Sequence, residues 1–386
     1  MRNACAGLSY HVCIATSVLS LLPWTLQDIR RASTRGWTEV TKNGPQVTVR
    51  APVEIAIVCY PGAQATCIHG LTDLFTYADH FARMHAAASP ASTPCPAAAS
   101  DQPFVRTTHR RERSDGSDLE CGLESGPSVS GTSTLVIVPA SQLGPPEPNY
   151  LPRTTAWVAR KHADGAAVAA VCGGVFLLAE SGLLNRRRAT THWMFAAELR
   201  RRFPDLRVES DRLVIDDGDI VTAGGVLAWA DMGLTLVDRL LGRTVMCSTA
   251  RFMLMDPPGR EQRFYGEFTP PLRHGDRTIV SIQHWLHANS TATCSVAALA
   301  ERAGLGARTF LRRFVRATGM KPSEYHQQLR IARSRELLEF TRDTVERIAV
   351  AVGYEDTRGF RRTFKRVIGL SPAEYRRRFQ RPETRD

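Results

Sequence analysis

The stretch R-G-F-R-R-T-F-K-R-V-I-G-L-S-P-A-E-Y, residues 358–375, has a counterpart at residues 308–325, R-T-F-L-R-R-F-V-R-A-T-G-M-K-P-S-E-Y. The two copies lie 50 residues apart and share Phe, Arg, Gly, Pro, Glu and Tyr at equivalent places. In each copy, Phe recurs at i and i+4 opposite Arg, a Gly follows, and a Pro comes three residues later. This internal repeat predicts two copies of one unit, a short amphipathic helix followed by a second helix.

A short apolar segment with helical spacing precedes each copy. These segments are residues 296–300 and 345–352, and each is followed by a Gly-containing turn, residues 303–306 and 353–356. Helix, short turn and helix is the helix-turn-helix pattern, whose second helix enters the major groove of DNA. We therefore interpret the C-terminal region as two DNA-reading units joined by an apolar-periodic helix.

The positive charge of the chain is concentrated beside this repeat. Residues 277–386 contain 22 Lys and Arg against 11 Asp and Glu, which leaves 28 and 27 for the preceding 276 residues. A basic region next to a neutral one predicts that only the C-terminal region meets a polyanion. A solvated basic surface is the alternative interpretation, but it does not explain why Arg recurs opposite Phe in both copies.

The nine cysteines are scattered singly, without C-x-x-C pairs or Cys/His metal spacing. We therefore expect reduced thiols, a cytoplasmic protein, and no metal or cofactor. No run of 18 apolar residues is present, so no membrane contact is expected. Residues 1–50 are interpreted as a poorly specified N-terminal extension.

The region before the repeat alternates between apolar runs and helical periodicity. Buried strands are predicted at residues 54–59, 134–138 and 166–171, and further strands at 211–217 and 219–222. Helices are predicted at residues 68–83, 156–161, 176–180 and 227–241, whereas the charged residues 106–118 are predicted to be irregular. This alternation predicts an α/β domain with a parallel sheet covered on both faces. Pro-rich stretches predict a linker at 256–276, between an α/β domain of residues 51–255 and an all-helical domain of residues 277–380.

The C-terminal region resembles the arabinose-regulator (AraC/XylS) family of transcription factors. The resemblance lies in the pattern G-Y-x(9)-F-K-x(3)-G-L-S-P-x-x-Y-R, from Gly353 to Arg376. The α/β region resembles PfpI-like, glutamine-amidotransferase-like sensor domains, which have a flavodoxin-like parallel-sheet sandwich. That resemblance lies in V-C-G-G-V-F-L-L-A-E-S-G-L-L at 171–184, supported by Y-P-G at 60–62 and T-T-H-W at 190–193.

The resemblance implies that each recognition helix offers base contacts from its exposed face. The implied DNA-binding residues are Ala307, Arg308, Leu311, Arg312, Thr357, Arg358, Arg361 and Arg362. An Arg guanidinium can bind guanine bidentately, for about 1–3 kcal/mol of discrimination. Arg313, Arg316, Lys365 and Arg366 are expected to face phosphates or solvent, and Phe310, Phe314, Phe360 and Phe364 the core. Two such helices should address major-groove segments ~34 Å apart.

The resemblance also implies a function. It predicts a transcriptional activator whose partners are promoter DNA, RNA polymerase and a small-molecule effector, and which forms a homodimer. An amino acid or a quaternary amine is the expected class of effector, and Cys172, Gly173 and His192 are its expected pocket. A regulator that has lost its effector is a further interpretation.

Cys172 is also the candidate for an alternative, enzymatic function. It follows a predicted strand and precedes Gly-Gly and a helix, which is the arrangement of a nucleophile elbow. A helix N-terminus stabilises a thiolate, and His192 could serve as its base. This predicts a Cys-dependent amidase or hydratase fused to a DNA-binding domain. The opposing interpretations are a small buried Cys172 and a pocket-wall His192.

Overall fold

The computed structural model describes residues 52–88, 103–112, 119–124, 134–142 and 144–380. The predicted N-terminal extension lies outside these residues. Within them, no helix combines the length and apolar character needed to cross a membrane.

The α/β region is built on a seven-stranded sheet in the order β3-β2-β1-β4-β5-β9-β8. Its strands are β1 (Val53–Val58), β2 (Val105–Glu112), β3 (Leu119–Glu124), β4 (Leu135–Val138), β5 (Ala167–Val171), β8 (Val214–Asp216) and β9 (Ile220–Ala223). The five central strands are parallel, and the edge strands β3 and β8 are antiparallel to their neighbours. β6 (Arg188–Ala189) and β7 (Arg207–Val208) form a separate small pair.

Helices cover both faces of this sheet. They are α1 (Ala65–Ala88), α2 (Pro152–Ala163), α3 (Gly174–Glu180), α4 (Ala196–Arg202), α5 (Trp229–Leu241) and α6 (Arg243–Phe252). Alternate residues of β1 point to opposite layers, as the two-residue period of a strand requires. Ile55 and Ile57 pack in the core with α1, α5 and α6, whereas Ala56 and Val58 pack with α2 and α3. The predicted parallel α/β sandwich is therefore confirmed.

β2 corrects the prediction of irregular structure at residues 106–118. Its first five residues are buried although four of them are polar or charged. Three of these residues have partners in other elements: Arg106 pairs with Glu54, the Thr108 hydroxyl lies 3.4 Å from the Ile55 carbonyl, and the His109 ring lies 2.8 Å from the Thr72 hydroxyl. The helix α6 was also absent from the prediction, which ended the region with a single helix.

The C-terminal region is entirely helical. Its helices are α7 (Arg277–Ala288), α8 (Val296–Arg302), α9 (Ala307–Thr318), α10 (Pro322–Phe340), α11 (Val345–Ala351), α12 (Thr357–Ile368) and α13 (Pro372–Phe379). The pairs α8–α9 and α11–α12 are the two predicted helix-turn-helix units, and both are confirmed. Each unit has its own apolar core, and α10 contributes Tyr325 to the first and Ile331 and Leu338 to the second.

The segment 256–276, here called the strap, contacts both regions. The Arg260 guanidinium pairs with Asp231 of α5, whose side chain is only 3% exposed. Phe264 is buried in the core of the second helix-turn-helix unit. Phe268 packs edge-on against Tyr325 in the core of the first, with ring centroids 5.1 Å apart. Side chains of the strap therefore attach it to the α/β region at one end and to both helix-turn-helix units farther along.

Candidate functional site

The two recognition helices end in the same way but begin differently. Gly306 is the N-cap of α9, and Asp356 is the N-cap of α12, where its carboxylate accepts two backbone N–H bonds. Both helices end at a Gly in the left-handed conformation, Gly319 with φ 74° and Gly369 with φ 89°. A residue with a side chain would be strained at that position, so the glycine stops seen in the repeat have a physical reason.

The buried faces of the two helices are packed alike. Phe310 and Phe314 lie 5.6 Å apart between ring centroids, and Phe360 and Phe364 lie 5.7 Å apart. In each unit the second Phe meets a buried Tyr edge-on, Tyr325 in the first and Tyr375 in the second. All six rings are fully buried. The four phenylalanines are therefore core residues, as predicted.

The opposite faces carry the predicted DNA-binding residues. Exposed side chains on these faces are Ala307, Arg308, Arg312, Arg358, Arg361 and Arg362, with Leu311 and Thr357 half-buried. Arg361 differs from the others because it pairs with Glu346 of α11 at 2.7 Å. Both partners are more than half exposed, and such a pair contributes little, so DNA could displace it. The structure thus brings each predicted set together on one accessible helix face.

Arg313 corrects one expectation. It was expected to face phosphates or solvent, but its guanidinium binds Asp276, the N-cap of α7, in a bidentate pair at 2.9 and 2.7 Å. The same carboxylate accepts the backbone N–H of Ile279. Arg313 therefore anchors the start of α7 to the first recognition helix.

Cys172 lies at the turn between β5 and α3. Its φ of 53° is in the left-handed region, which a residue with a Cβ rarely adopts, and its side chain is 1% exposed. The neighbouring turn is covered: a Cβ added at Gly173 would lie 2.9 Å from both the Gly144 oxygen and the Ser141 Cβ. The predicted elbow is present, and Pro139, Ser141 and Gly144 pack closely over it.

The thiol is held in its neutral form. Burial raises the pKa of Cys172 to about 11, and backbone hydrogen bonds from Gly173 and His192 only partly oppose this. The neighbouring Cys67 is similar, since burial raises its pKa to about 12. The expectation of a thiolate stabilised at a helix N-terminus is therefore wrong, because desolvation outweighs the two N–H groups.

One ring nitrogen of His192 is already occupied. Its Nδ1 accepts the backbone N–H of Met194 at 3.2 Å, and burial lowers the pKa of the ring. It packs beside Trp193 and Phe195, with centroids 5.4 and 5.3 Å away. His192 reaches the thiol through its main-chain N–H.

A hydrogen-bond chain links the Cys172 turn to the strap. The Thr191 hydroxyl donates to the Cys172 carbonyl at 2.7 Å. The buried Gln262 of the strap donates to the Thr191 carbonyl at 2.8 Å and accepts the Trp193 N–H at 3.1 Å. No sequence pattern marks Gln262, because it lies between prolines in a segment without periodicity.

Further along the strap, a cavity of about 220 Å³ opens between the two regions. Trp193 and Asp211 line it from the α/β region, Glu267 from the strap, and Ala332 and Val367 from the helical region. A molecule bound in this cavity would contact residues of both regions.

Comparisons with known proteins agree with this architecture. A model described as a helix-turn-helix domain matches residues 299–378, and one for the DJ-1/PfpI family matches residues 129–239. The HTH-type transcriptional regulator CdhR of Pseudomonas aeruginosa is 26% identical over 211 residues, 54% of this chain and 62% of the relative. The HTH-type transcriptional regulator GlxA of Rhizobium meliloti is 27% identical over 199 residues, 51% of this chain and 60% of the relative.

An enzyme is also among the similar proteins. The isonitrile hydratase of Pseudomonas putida is 37% identical over 90 residues, 23% of this chain and 38% of the relative. The chain spans less than two thirds of each of these three relatives. It combines a DJ-1/PfpI domain with an AraC-type helix-turn-helix domain.

Proposed function

We propose that the chain is a sequence-specific DNA-binding transcriptional regulator, an activator, controlled by a small-molecule effector bound in its α/β domain. The observation that carries the proposal is the pair of recognition helices, each with its aromatic face buried and its arginine face accessible. This arrangement suits insertion into the major groove, where guanidinium groups read guanine. The excess of basic residues after residue 276 supports the same conclusion.

The first test removes one base reader from each recognition helix. Arg312→Ala combined with Arg362→Ala should weaken binding of the full chain to a promoter fragment by at least about tenfold, since each bidentate contact is worth about 1–3 kcal/mol. Binding is measured by fluorescence anisotropy over a range of salt concentrations.

A matched control removes two arginines from elsewhere. Arg333 on α10 and Arg243 on α6 are exposed and pair only with nearby carboxylates, Glu336 and Asp238. The Arg333→Ala, Arg243→Ala chain should bind nearly as the unaltered protein does. Equal losses from both double variants would mean that only total charge matters, and would refute the assigned reading faces.

The effector is proposed to bind at the crevice beside Cys172, Gly173 and His192, at the carboxyl ends of the parallel strands. Such crevices are the usual ligand sites of open α/β sheets. Because Pro139, Ser141 and Gly144 cover the turn, entry of a ligand would displace them. The hydrogen bonds that join Cys172, Thr191 and Gln262 could transmit this displacement to the strap, and from there to the recognition helices.

Amino acids and quaternary amines are the proposed effector classes. The similar proteins CdhR and GlxA are described as transcriptional regulators, and that description specifies no ligand. A thermal-shift screen of both classes against the full chain should raise its Tm with one compound. That compound should also change DNA affinity. A stabilising compound without effect on DNA binding would count against effector control and favour a regulator that answers only to protein partners.

The α/β domain is proposed to be a sensor and not an enzyme, despite the likeness to isonitrile hydratase. A nucleophilic cysteine needs thiolate character and an available base. Here the Cys172 pKa is raised and the His192 Nδ1 is occupied by a backbone N–H. Turnover of an isonitrile by the full chain, lost in Cys172→Ala, would overturn this part of the proposal.

Activation and self-association complete the proposal. The chain is proposed to bind promoter DNA as a homodimer and to recruit RNA polymerase. Sedimentation velocity should show a dimer, and transcription with purified RNA polymerase should increase when the protein is added. A fall in transcript would identify a repressor.

A further inference from the structure

Arg330 lies near the middle of α10, at the junction of the two helix-turn-helix units. The cores of the two units are separate clusters, and α10 contributes to both. The spacing between the two recognition helices therefore depends on how firmly each unit is held to this helix.

The Arg330 guanidinium binds both units at once. Toward the first unit, its Nε donates to the Ser290 carbonyl at 2.8 Å, and Nη2 donates to the carbonyls of Thr291 and Ala292 at 3.1 Å each. Toward the second unit, Nη1 donates to the Gly353 carbonyl at 2.9 Å. These acceptors lie in the loop between α7 and α8 and in the turn between α11 and α12. One planar cation thus joins the two loops, with donors in a fixed geometry.

The same junction is packed as closely as backbone allows. A Cβ added at Gly353 would lie 2.5 Å from the Thr291 oxygen and 3.1 Å from the Arg330 guanidinium carbon. The guanidinium also stacks near Tyr354, 5.7 Å from the ring centroid. Because the two loops meet without intervening space, they have little freedom to slide past each other.

Arg330 has no equivalent in the repeat. At the offset of 50 residues its counterpart is Gln380, which follows α13 at the end of the described chain. The contact therefore belongs to the junction alone and is not part of the packing inside either unit. Arg333, three residues along the same helix, is exposed and pairs only with Glu336 at 2.5 Å.

We propose that Arg330 is a positioning residue that fixes the spacing of the two DNA elements that the chain reads. The inference rests on the proposed function. One added base pair moves the second element by ~3.4 Å and rotates it by ~34° about the duplex. A rigid junction cannot follow that displacement, so the chain with Arg330 discriminates strongly between spacings.

The test begins with selection of binding sites from a random duplex library by the full chain. The two conserved blocks of the selected site are then moved apart or together by one base pair. The unaltered chain should lose about tenfold in affinity for either change, comparable to the loss of one specific base contact. Arg330→Gln should bind all spacings more weakly but differ among them by only about threefold, because the junction can adjust.

Two further variants make the result decisive. Arg333→Gln, the matched control, should keep the spacing profile of the unaltered chain. Arg330→Lys keeps the charge but replaces the planar fork with a single ammonium, and it should flatten the profile even if Arg330→Gln does not fold. Circular dichroism checks the fold of each variant.

The outcomes separate the inference from the proposed function. A two-block site whose spacing profile is unchanged in the folded Arg330 variants refutes the inference alone, and shows that α10 by itself sets the distance. A wild-type chain that selects no sequence refutes the proposed function and the inference with it.

Discussion

Cys172 is the residue whose position suggests one chemistry and whose environment suggests another. Its left-handed backbone and its place after a strand are those of a nucleophile. Its burial, however, leaves the thiol protonated at neutral pH, because the charged form would be desolvated. The residue is therefore better suited to fill the turn than to attack a substrate.

This leads to a prediction about alkylation. With a pKa of about 11, on the order of one Cys172 thiol in a thousand is ionised at pH 8, against about a quarter for an ordinary cysteine. Iodoacetamide should therefore modify Cys172 at least about a hundred times more slowly in the native chain than in urea, and the native rate should rise up to about pH 11.

Peptide mass spectrometry follows the modification at each pH. Rapid alkylation of native Cys172 at pH 7, with a plateau below pH 8, would contradict the raised pKa and revive the enzymatic interpretation. The partly exposed Cys247 of α6 serves as an internal control for reagent activity.

The second recognition helix, α12, depends on its first residue. Asp356 accepts the N–H groups of Arg358 and Gly359 at 2.9 and 2.8 Å, and these interactions lower the pKa of its carboxyl group. Helices leave their first N–H groups without partners, and an N-cap side chain supplies them. The first recognition helix has Gly306 at the same place and no side-chain cap.

Asp356→Ala should lower the Tm of the helical region by about 4 °C, because two N–H groups of its first turn lose their acceptor. Asp356→Asn keeps the hydrogen-bond acceptor without the charge and should be nearly neutral. Thermal denaturation followed by circular dichroism distinguishes the two. An equal loss in both variants would mean that the charge, and not the cap, stabilises α12.

An element could be predicted where its own sequence carries the pattern, and not where its burial depends on residues from other elements. The recognition helices, their glycine stops and their phenylalanine faces follow from a repeated local pattern, and the structure has all three. β2 was missed because its residues V-R-T-T-H-R-R-E show neither an apolar run nor alternation. Arg106 and His109 are buried only because Glu54 and Thr72 reach them from other elements, and no sequence pattern marks such partners.

The strap was predicted only as a linker, from its prolines. The side-chain amide of its buried Gln262 has four polar neighbours within hydrogen-bond distance, and these lie in two loops that the sequence does not place together. The candidate site was predicted in part for the same reason. The Cys172 turn has a local signature, whereas the route from it to the recognition helices is formed entirely by contacts between distant segments.

Gln262→Ala should detach the strap from the α/β region. It removes the Gln262 amide from the buried Thr191 carbonyl and from the Trp193 N–H, and the loss of a partner costs up to about 1–3 kcal/mol for a buried polar group. Trypsin should then cleave faster at Arg260 and Arg263, while the helical content remains unchanged. Thr269→Ala, an exposed change in the same strap, is the control. Unaltered cleavage kinetics in Gln262→Ala would show that Arg260 and Phe264 hold the strap without it.

Arg260 and Gln262 hold the strap to the α/β region, whereas Phe264 and Phe268 hold it to the helical region. This division has a practical consequence for building hybrid regulators. A chimera that transplants residues 277–380 onto a foreign sensor would lose the phenylalanines that complete both of its cores, since Phe264 and Phe268 precede that boundary. Cutting upstream of Arg260 would instead carry along Gln262, whose acceptors belong to the original α/β region. The least damaging graft point lies between Gln262 and Phe264, so the interchangeable modules of this protein meet inside the strap and not at either of its ends.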